Sequence, residues 1–233
     1  MRASIEPFIR KAFLPKVSEG DGVLKASKFS GKPWLNKGDR WPNCQHCGQP
    51  MQLFVQINLD SLPKSLKGEF GTGLLQLFYC TNTDSNCEVE CAAWSPFAKS
   101  TLVRIIQADT EVRDIEIPNI KNYFPPKQIV GWEEIQDYPN CSEGTELGID
   151  LTDDEWDEIA EQYPQPGDKL SGWPLWVQGL EYPDCPVCNQ EMRLVFQLDS
   201  EDNLPFMFGD AGCGQITQCK AHKTQVAFGW ACS

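Results

Sequence analysis

The chain repeats itself once, and this constrains its fold more than any single motif. Residues 28–56 (KFSGKPWLNKGDRWPNCQHCGQPMQLFVQ) lie over residues 169–197 (KLSGWPLWVQGLEYPDCPVCNQEMRLVFQ) at a constant offset of 141, with no gap and 12 of 29 positions identical. The matches are Lys28, Ser30, Gly31, Pro33, Gly38, Pro42, Cys44, Cys47, Gln49, Met51, Leu53 and Gln56 with their partners. Identity held in register over such a length implies one backbone used twice. The correspondence continues with small deletions: Gln76 and Cys80 align with Gln215 and Cys219, and Trp94 with Trp230. The repeat therefore covers residues 28–97 and 169–233, with the stretch between them unrepeated.

Both copies read as β. Residues 51–59 (MQLFVQINL) and 192–198 are short apolar runs bounded by turn residues, and residues 73–80, 102–106 and 226–230 read as further strands. Glycines at 68–73 and 209–214 mark turns. A helix is expected over residues 153–162. Thr152 and Glu155 form a capping box, Leu151 and Trp156 a hydrophobic staple, and Trp156, Ile159, Ala160 and Tyr163 share one face. A short helix is also expected at residues 5–13. The fold class is thus mainly β (α+β): two pseudo-symmetric duplicated β modules joined by an acidic linker with a short helix, in one compact unit. Residues 1–107 make an N-terminal arm and first module, 108–168 the linker, and 169–233 the second module. The apolar side chains Leu53, Val55, Leu194 and Phe196 are expected to share one core.

Eleven cysteines in 233 residues are the next constraint. Residues 1–15 lack the apolar segment of a secretory signal, and no run approaches the ~20 apolar residues of a membrane span. The expectation is a cytoplasmic protein with no membrane partner, whose thiols stay reduced and are better read as metal ligands than as disulfides. Two sets emerge. Cys44-x2-Cys47 is followed by Cys80 and Cys87, with Cys91 as the alternative fourth ligand. Cys185-x2-Cys188 is followed by Cys219 and His222. An x2 pair lets two sulfurs reach one ion from a single tight turn, and zinc takes four N or S ligands in a tetrahedron. The sets read as one site of four thiolates and one of three thiolates and an imidazole, holding up to two structural zinc ions. A thioredoxin-type pair would instead open a helix, whereas turn residues and strands follow these pairs. His46, between Cys44 and Cys47, reads as surface. Cys141, Cys213 and Cys232 lack a spaced partner and read as buried small hydrophobes.

Charge is unevenly placed. The chain sums to −13, and residues 108–162 alone hold sixteen acids against three bases, so the rest is neutral. No basic residue lies between Lys127 and Lys169. On the expected helix, Asp153, Asp154, Asp157, Glu158 and Glu161 surround the apolar stripe. They are either a solvated face or a docking surface for a basic protein. Direct nucleic-acid binding is disfavoured, because only Arg40, Lys220 and Lys223 lie near the cysteine sets in sequence. The chain carries no GxSxG, P-loop, HExxH or dinucleotide fingerprint.

The segments SKFSGKPWL (27–35), RWPNCQHC (40–47), LFVQINL (53–59), GLLQLFYC (73–80), IVGWEEIQDYP (129–139) and the closing stretch from GDKLSGWPLWVQ to FGWAC resemble the YwqG-like bacterial family of uncharacterised function. That family is similar to the programmed cell death protein 2 proteins, which are duplicated, β-rich and chaperone a ribosomal protein, and some bacterial members resemble immunity proteins. The resemblance implies a chaperone-like or immunity protein that masks a basic client, either a toxin or a ribosomal protein. Many members lack the CxxC pairs, which makes any zinc here structural. The sequence thus favours a non-enzymatic binding protein, and the alternative is a dithiol oxidoreductase or an RNA-processing factor.

Overall fold

Phe, Val, Ile and Leu crowd the short runs of both repeats, and β-branched and aromatic residues suit pleated strands. In the computed structural model, which describes residues 2–108 and 116–233, these runs all lie in one antiparallel sheet. Its strands in chain order are β1 (Arg10–Glu19), β2 (Lys28–Phe29), β3 (Gln52–Asn58), β4 (Leu74–Tyr79), β5 (Thr101–Ile106), β6 (Lys127–Asp137), β7 (Lys169–Ser171), β8 (Arg193–Asp199), β9 (Cys213–Gln218) and β10 (Val226–Ala231). The helices are α1 (Arg2–Ile5), α2 (Cys87–Glu90), α3 (Cys141–Glu146) and α4 (Asp153–Ala160). None is long and apolar enough to cross a membrane.

The order across the sheet is β10-β9-β8-β7-β1-β6-β2-β3-β4-β5, a palindrome of the duplication. Strands β2–β5 and β7–β10 are matching sets, placed outward from a central pair. That pair is exchanged. β1 precedes the first repeat but bonds to β7, with Ala12 opposite Ser171; β6 precedes the second but bonds to β2, with Gln128 opposite Lys28. Between them β1 and β6 pair over their whole length, from Arg10–Asp137 to Glu19–Lys127. The end strands β5 and β10 come into contact, so the sheet almost closes on itself. Near-closure leaves little bare edge for a foreign strand to pair with. The N-terminal residues follow the same logic. Only residues 2–8 are helical, as α1 and a short 3-10 turn, and the strand β1 replaces the rest of the helix expected at 5–13.

The interior is aromatic and draws on both halves. Phe29 packs on Phe196 at 6.0 Å, while Phe54 stacks on Tyr79 at 4.9 Å and meets Phe206 edge-on at 4.9 Å. Val55 and Phe196 share this core as expected, but Leu53 and Leu194 do not. A bulge between Leu53 and Val55 breaks the alternation, and Leu53 packs with the cysteines instead. The second copy keeps the same bulge, between Leu194 and Phe196. Such irregularities re-aim side chains.

The alignment of Trp94 with Trp230 is overturned. Register through β4 and β9 makes Ile105 the counterpart of Trp230, while Trp94 sits in the turn before β5. The two rings lie against each other at 6.1 Å, and the Trp230 amide donates to the Trp94 carbonyl at 3.1 Å. The pair is a contact between modules, not a repeat.

The identical polar positions build one scaffold twice. Lys28 and Lys169 are fully buried and reach Asp21 and Asp137 at 2.7 and 2.9 Å. Each carboxylate also takes a backbone N–H from the following loop, Lys32 for Asp21 and Trp173 for Asp137. Gly31 (φ +83°) and Gly172 (φ +88°) lie where a Cβ would overlap those same carboxylates, in a backbone region that favours glycine. Gln56 accepts from the Trp34 amide and donates to the Leu24 and Ala26 carbonyls; Gln197 accepts from Leu175 and donates to Gln165 and Gly167. Gln76 and Gln215 donate to the Trp34 and Leu175 carbonyls. Buried polar groups must be paired, so these residues fix the loops that lead to the cysteine turns.

One buried acid gives the fold a pH dependence. Asp168 is 2% exposed, accepts from the Asp199 and Asn203 amides and the Asn203 side chain, and sits beside Asp202. Desolvation first, and then the Asp202 charge, push its carboxyl up to about 7. The folded chain therefore holds a proton between about pH 4 and 7 that the unfolded chain has lost. This contribution to stability is full below about pH 4 and is lost as pH rises through about 7. Asp202→Asn keeps an acceptor for the Asp168 amide but removes the like charge. Urea unfolding from pH 5.5 to 8 is expected to show a shallower fall with pH in that variant than in the wild type, where this group's slope is at most about 1.4 kcal/mol per pH unit.

Candidate metal centres

Each CxxC pair sits on a tight turn that the local sequence dictates. The Cys44 amide donates to the Gln49 carbonyl at 2.8 Å and the Gly48 amide to the Cys44 carbonyl at 2.9 Å, with Gly48 at φ +71°. The second copy repeats this: Cys185 to Gln190 at 2.9 Å and Asn189 to Cys185 at 2.8 Å, with Asn189 at φ +54°. Glycine and asparagine tolerate that conformation best. Trp41 ties down the first turn by donating its indole N–H to the Met51 carbonyl at 2.8 Å.

The remaining ligands arrive from the ends of β4 and β9. Cys80 follows β4 and Cys219 follows β9. His222 lies one turn beyond Cys219, and Cys87 begins α2. The ligand atoms of Cys44, Cys47, Cys80 and Cys87 all lie within 4.8 Å of one another, as do those of Cys185, Cys188, Cys219 and His222. Sulfur separations are 3.9 Å for Cys44–Cys87, 3.7 Å for Cys47–Cys80 and 3.6 Å for Cys188–Cys219. His222 Nδ1 stands 3.8 Å from the Cys185 sulfur and 3.6 Å from that of Cys219. A tetrahedron of zinc–sulfur bonds of about 2.3 Å has an edge of about 3.8 Å. These separations therefore suit ligands of one ion and are far beyond the ~2.05 Å of a disulfide. All eleven cysteines are free. The fourth position of the first set is filled by Cys87, and Cys91 stays outside the group.

The surroundings favour anionic sulfur at one cysteine of each set. Burial pushes the Cys47 thiol up, but hydrogen bonds from the Gln49 backbone and the Asn82 side chain outweigh it and bring it down to about 7. Burial likewise opposes ionisation of Cys219, and the backbone and ring of His222 with its cluster neighbours bring it down to about 6. The Val187 amide donates to the Cys185 sulfur at 3.4 Å and the His222 amide to the Cys219 sulfur at 3.3 Å. Cys80 is raised by burial, and Cys87 is pushed up to about 12, by burial first and by its neighbouring thiols. Four thiols so crowded cannot all ionise against one another, whereas a divalent cation at their centre takes all four as thiolates. With four protein ligands, each sphere would be closed, as in structural rather than catalytic sites.

The other sequence-marked residues fall elsewhere. His46 and Cys141 are exposed, Cys213 is buried, and Cys232 is half-buried. Cys141 thus departs from the buried reading, because it opens α3 at the surface. Helix α4 ends at Ala160, and its capping box is present, with the Thr152 amide donating to Glu155 at 3.0 Å. Trp156 and Ile159 bury against Ile5 and Ile149, while Ala160 is exposed. Asp153, Asp154, Asp157, Glu158 and Glu161 all point to solvent. They are not near-neighbours of either cysteine cluster in any described contact. Of the other acids of residues 108–162, Asp109, Glu111 and Asp114 lie outside the described residues, as does Arg113. Asp137 and Glu143 are buried and structural: Glu143 accepts from Trp176 Nε1 at 3.1 Å and from the Tyr182 hydroxyl. Glu133 and Glu134 pair with Lys16 and Lys11. The free acidic surface is therefore narrower than the charge count alone implies. Asp21, Asp137 and Glu143 carry no motif signal, but the identity of Lys28 with Lys169 in an apolar setting marks a buried charge in need of a partner.

Fold and site together define a duplicated β protein with one four-residue cluster in each half that could hold a metal ion. A family model described as a domain of unknown function, DUF1963, matches residues 27–228, and the chain belongs to that family. No curated protein matches it.

Proposed function

We propose that this chain is a non-catalytic, protein-binding protein, stiffened by two structural zinc ions, that masks a basic client. The observation that carries this reading is the outer face of α4. The helix is anchored through Trp156 and Ile159, and it turns Asp153, Asp154, Asp157, Glu158 and Glu161 outward within a 41-residue stretch, 128–168, that holds no base. Such a field speeds encounter with a cationic partner and selects against anionic ones. The resemblance to YwqG-like proteins and to the programmed cell death protein 2 chaperones supports the same class, with a toxin or a ribosomal protein as the client. The closed four-ligand clusters support zinc as a fold-stabilising ion. They weigh against a dithiol oxidoreductase, since each CxxC lies on a turn rather than at a helix start.

The test is a quadruple variant, Asp153→Asn, Asp154→Asn, Asp157→Asn and Glu158→Gln, which leaves Thr152, Glu155 and the buried face intact. Native partners are first captured with the wild-type chain. Association of the variant with a captured partner is expected to slow by about tenfold at low ionic strength and to lose most of its salt dependence. Equal on-rates in both proteins would reject the acidic face as the contact surface.

A further inference from the structure

Aromatic side chains gather in one cleft at the seam of the two halves, and one of them, Trp230, also belongs to the core. Trp94 and Pro96 come from the turn after α2, Trp176 and Tyr182 from the loop between β7 and β8, and Trp230 from β10; the cleft encloses about 530 Å³. That is the size of a pocket for a small ligand or a few residues of peptide. The rings form two edge-to-face pairs, Trp94 on Trp230 at 6.1 Å and 82°, and Trp176 on Tyr182 at 4.9 Å and 79°. Trp176 and Trp230 are buried, and Trp230 also packs on Phe208 at 5.9 Å, so Trp94 is the tryptophan that offers an open ring to the cleft. Trp94 is 43% exposed even though its carbonyl is fixed by the Trp230 amide.

The lining itself carries charge of one sign, while Arg10 lies behind it against Tyr182. The lining contains Glu181, which is exposed, and no lysine or arginine. Glu143 stands behind the Trp176–Tyr182 pair, bonded to both, and there it faces Arg10, so Glu181 is the carboxylate available to a ligand. The cleft is also linked to the acidic helix through α3. Gly144, beside Glu143 on α3, is where Trp156 of α4 packs, so closely that a Cβ there would overlap its ring. One short helix thus supports both surfaces.

We propose that this cleft binds a cationic extended peptide segment, with an arginine or lysine side chain lying on the Trp94 ring and its charge met by Glu181. Cation–π contact and planar stacking favour such side chains on tryptophan. The inference rests on the reading of the chain as a binder of a basic protein, and it names the chemistry of the segment that is held.

The test is titration of the full-length, zinc-loaded chain with a short synthetic Arg-Pro repeat peptide, followed by tryptophan fluorescence and calorimetry, with Ala-Pro and Glu-Pro repeats alongside. Saturable binding of the Arg-Pro peptide alone is expected, weakened about tenfold by Trp94→Ala and about threefold by Glu181→Gln. Glu181 is exposed, so its variant reports even if Trp94→Ala proves unstable. The acidic-helix variant is expected to bind this short peptide within about twofold of wild type, because it lacks only the longer-range field. Equal binding of the Ala-Pro peptide, or binding indifferent to both substitutions, would overturn the proposal. Loss of binding in the acidic-helix variant alone would move the site to α4 and overturn it as well. Unchanged client on-rates in that variant, with peptide binding intact, would reject the acidic face and leave the cleft standing.

Discussion

Cys219→Ser is expected to leave the chain with one zinc ion in place of two by elemental analysis and to lower its thermal midpoint on the order of 10 °C. The cause is linkage between metal binding and folding. In small zinc domains the ion contributes about 10–16 kcal/mol of apparent folding free energy. Here the cluster packs against Met192 and Ala227, in a half that keeps its share of the aromatic core. A loss of about 3 kcal/mol or more is therefore the reasonable scale, and for a chain of this size each kcal/mol moves the midpoint by about 2–4 °C. Cys87→Ser should do the same at the first cluster, where Cys44, Met51, Leu53, Phe78 and Cys80 pack around it. Cys91→Ser should keep both ions, since Cys91 lies outside the ligand group. Unaltered metal content and midpoint in Cys219→Ser, or an isolated Cys44–Cys47 disulfide in the purified protein, would reject the metal assignment.

The second large effect lies in a residue with no motif at all. Asp137 closes β6, is fully buried with Lys169, and also accepts from the Trp173, Gln165 and Tyr138 amides. Removing one partner of a buried pair costs about 3–5 kcal/mol, because the other charge is left uncompensated. Asp137→Asn should fall in this range by urea unfolding. Its pH response has a definite sign. Burial already lowers the Lys169 amine, and the Asp137 charge is what opposes that shift. Without the carboxylate the folded pKa drops further, so the unfolded chain binds more protons over a wider window below about 10.5. The variant should gain stability, relative to wild type, as pH rises toward the ordinary lysine pKa of about 10.5. Adding Lys169→Met should remove that slope and recover part of the loss, but not the part due to the three amides. A pH-independent difference between wild type and Asp137→Asn would mean that the amine is not what the carboxylate holds.

How far the sequence could be read follows from which interactions are local. The CxxC turns, the capping box of α4 and the β character of both repeats rest on neighbours within a few residues, and all are present at the expected places. So is the grouping of the eight candidate ligands, because Cys80 and Cys219 follow strands that the repeat aligns and Cys87 and His222 lie a few residues beyond them. The differences lie where long-range strand register, and not the local sequence, sets a side chain's surroundings. Trp94 and Trp230 looked like copies because each ends a module, yet they are contacts across the seam, as only the register of β5 and β10 reveals. Leu53 looked like core by alternation, and one bulge turned it toward the cysteines.

The sequence by itself determined that one β backbone is used twice, that each copy brings four soft ligands together, and that negative charge collects between them. Tertiary structure alone decided that β1 and β6 change places, so that each half is completed by a strand belonging to the other. It also decided that Asp21 and Asp137 are the partners of the two repeated lysines, and that three tryptophans and a tyrosine meet in one cleft. The physical reason is the same in each case. Local preferences are set by bonds the chain makes with its near neighbours, whereas strand exchange, buried charge pairs and seams are fixed by which distant surfaces must leave water together.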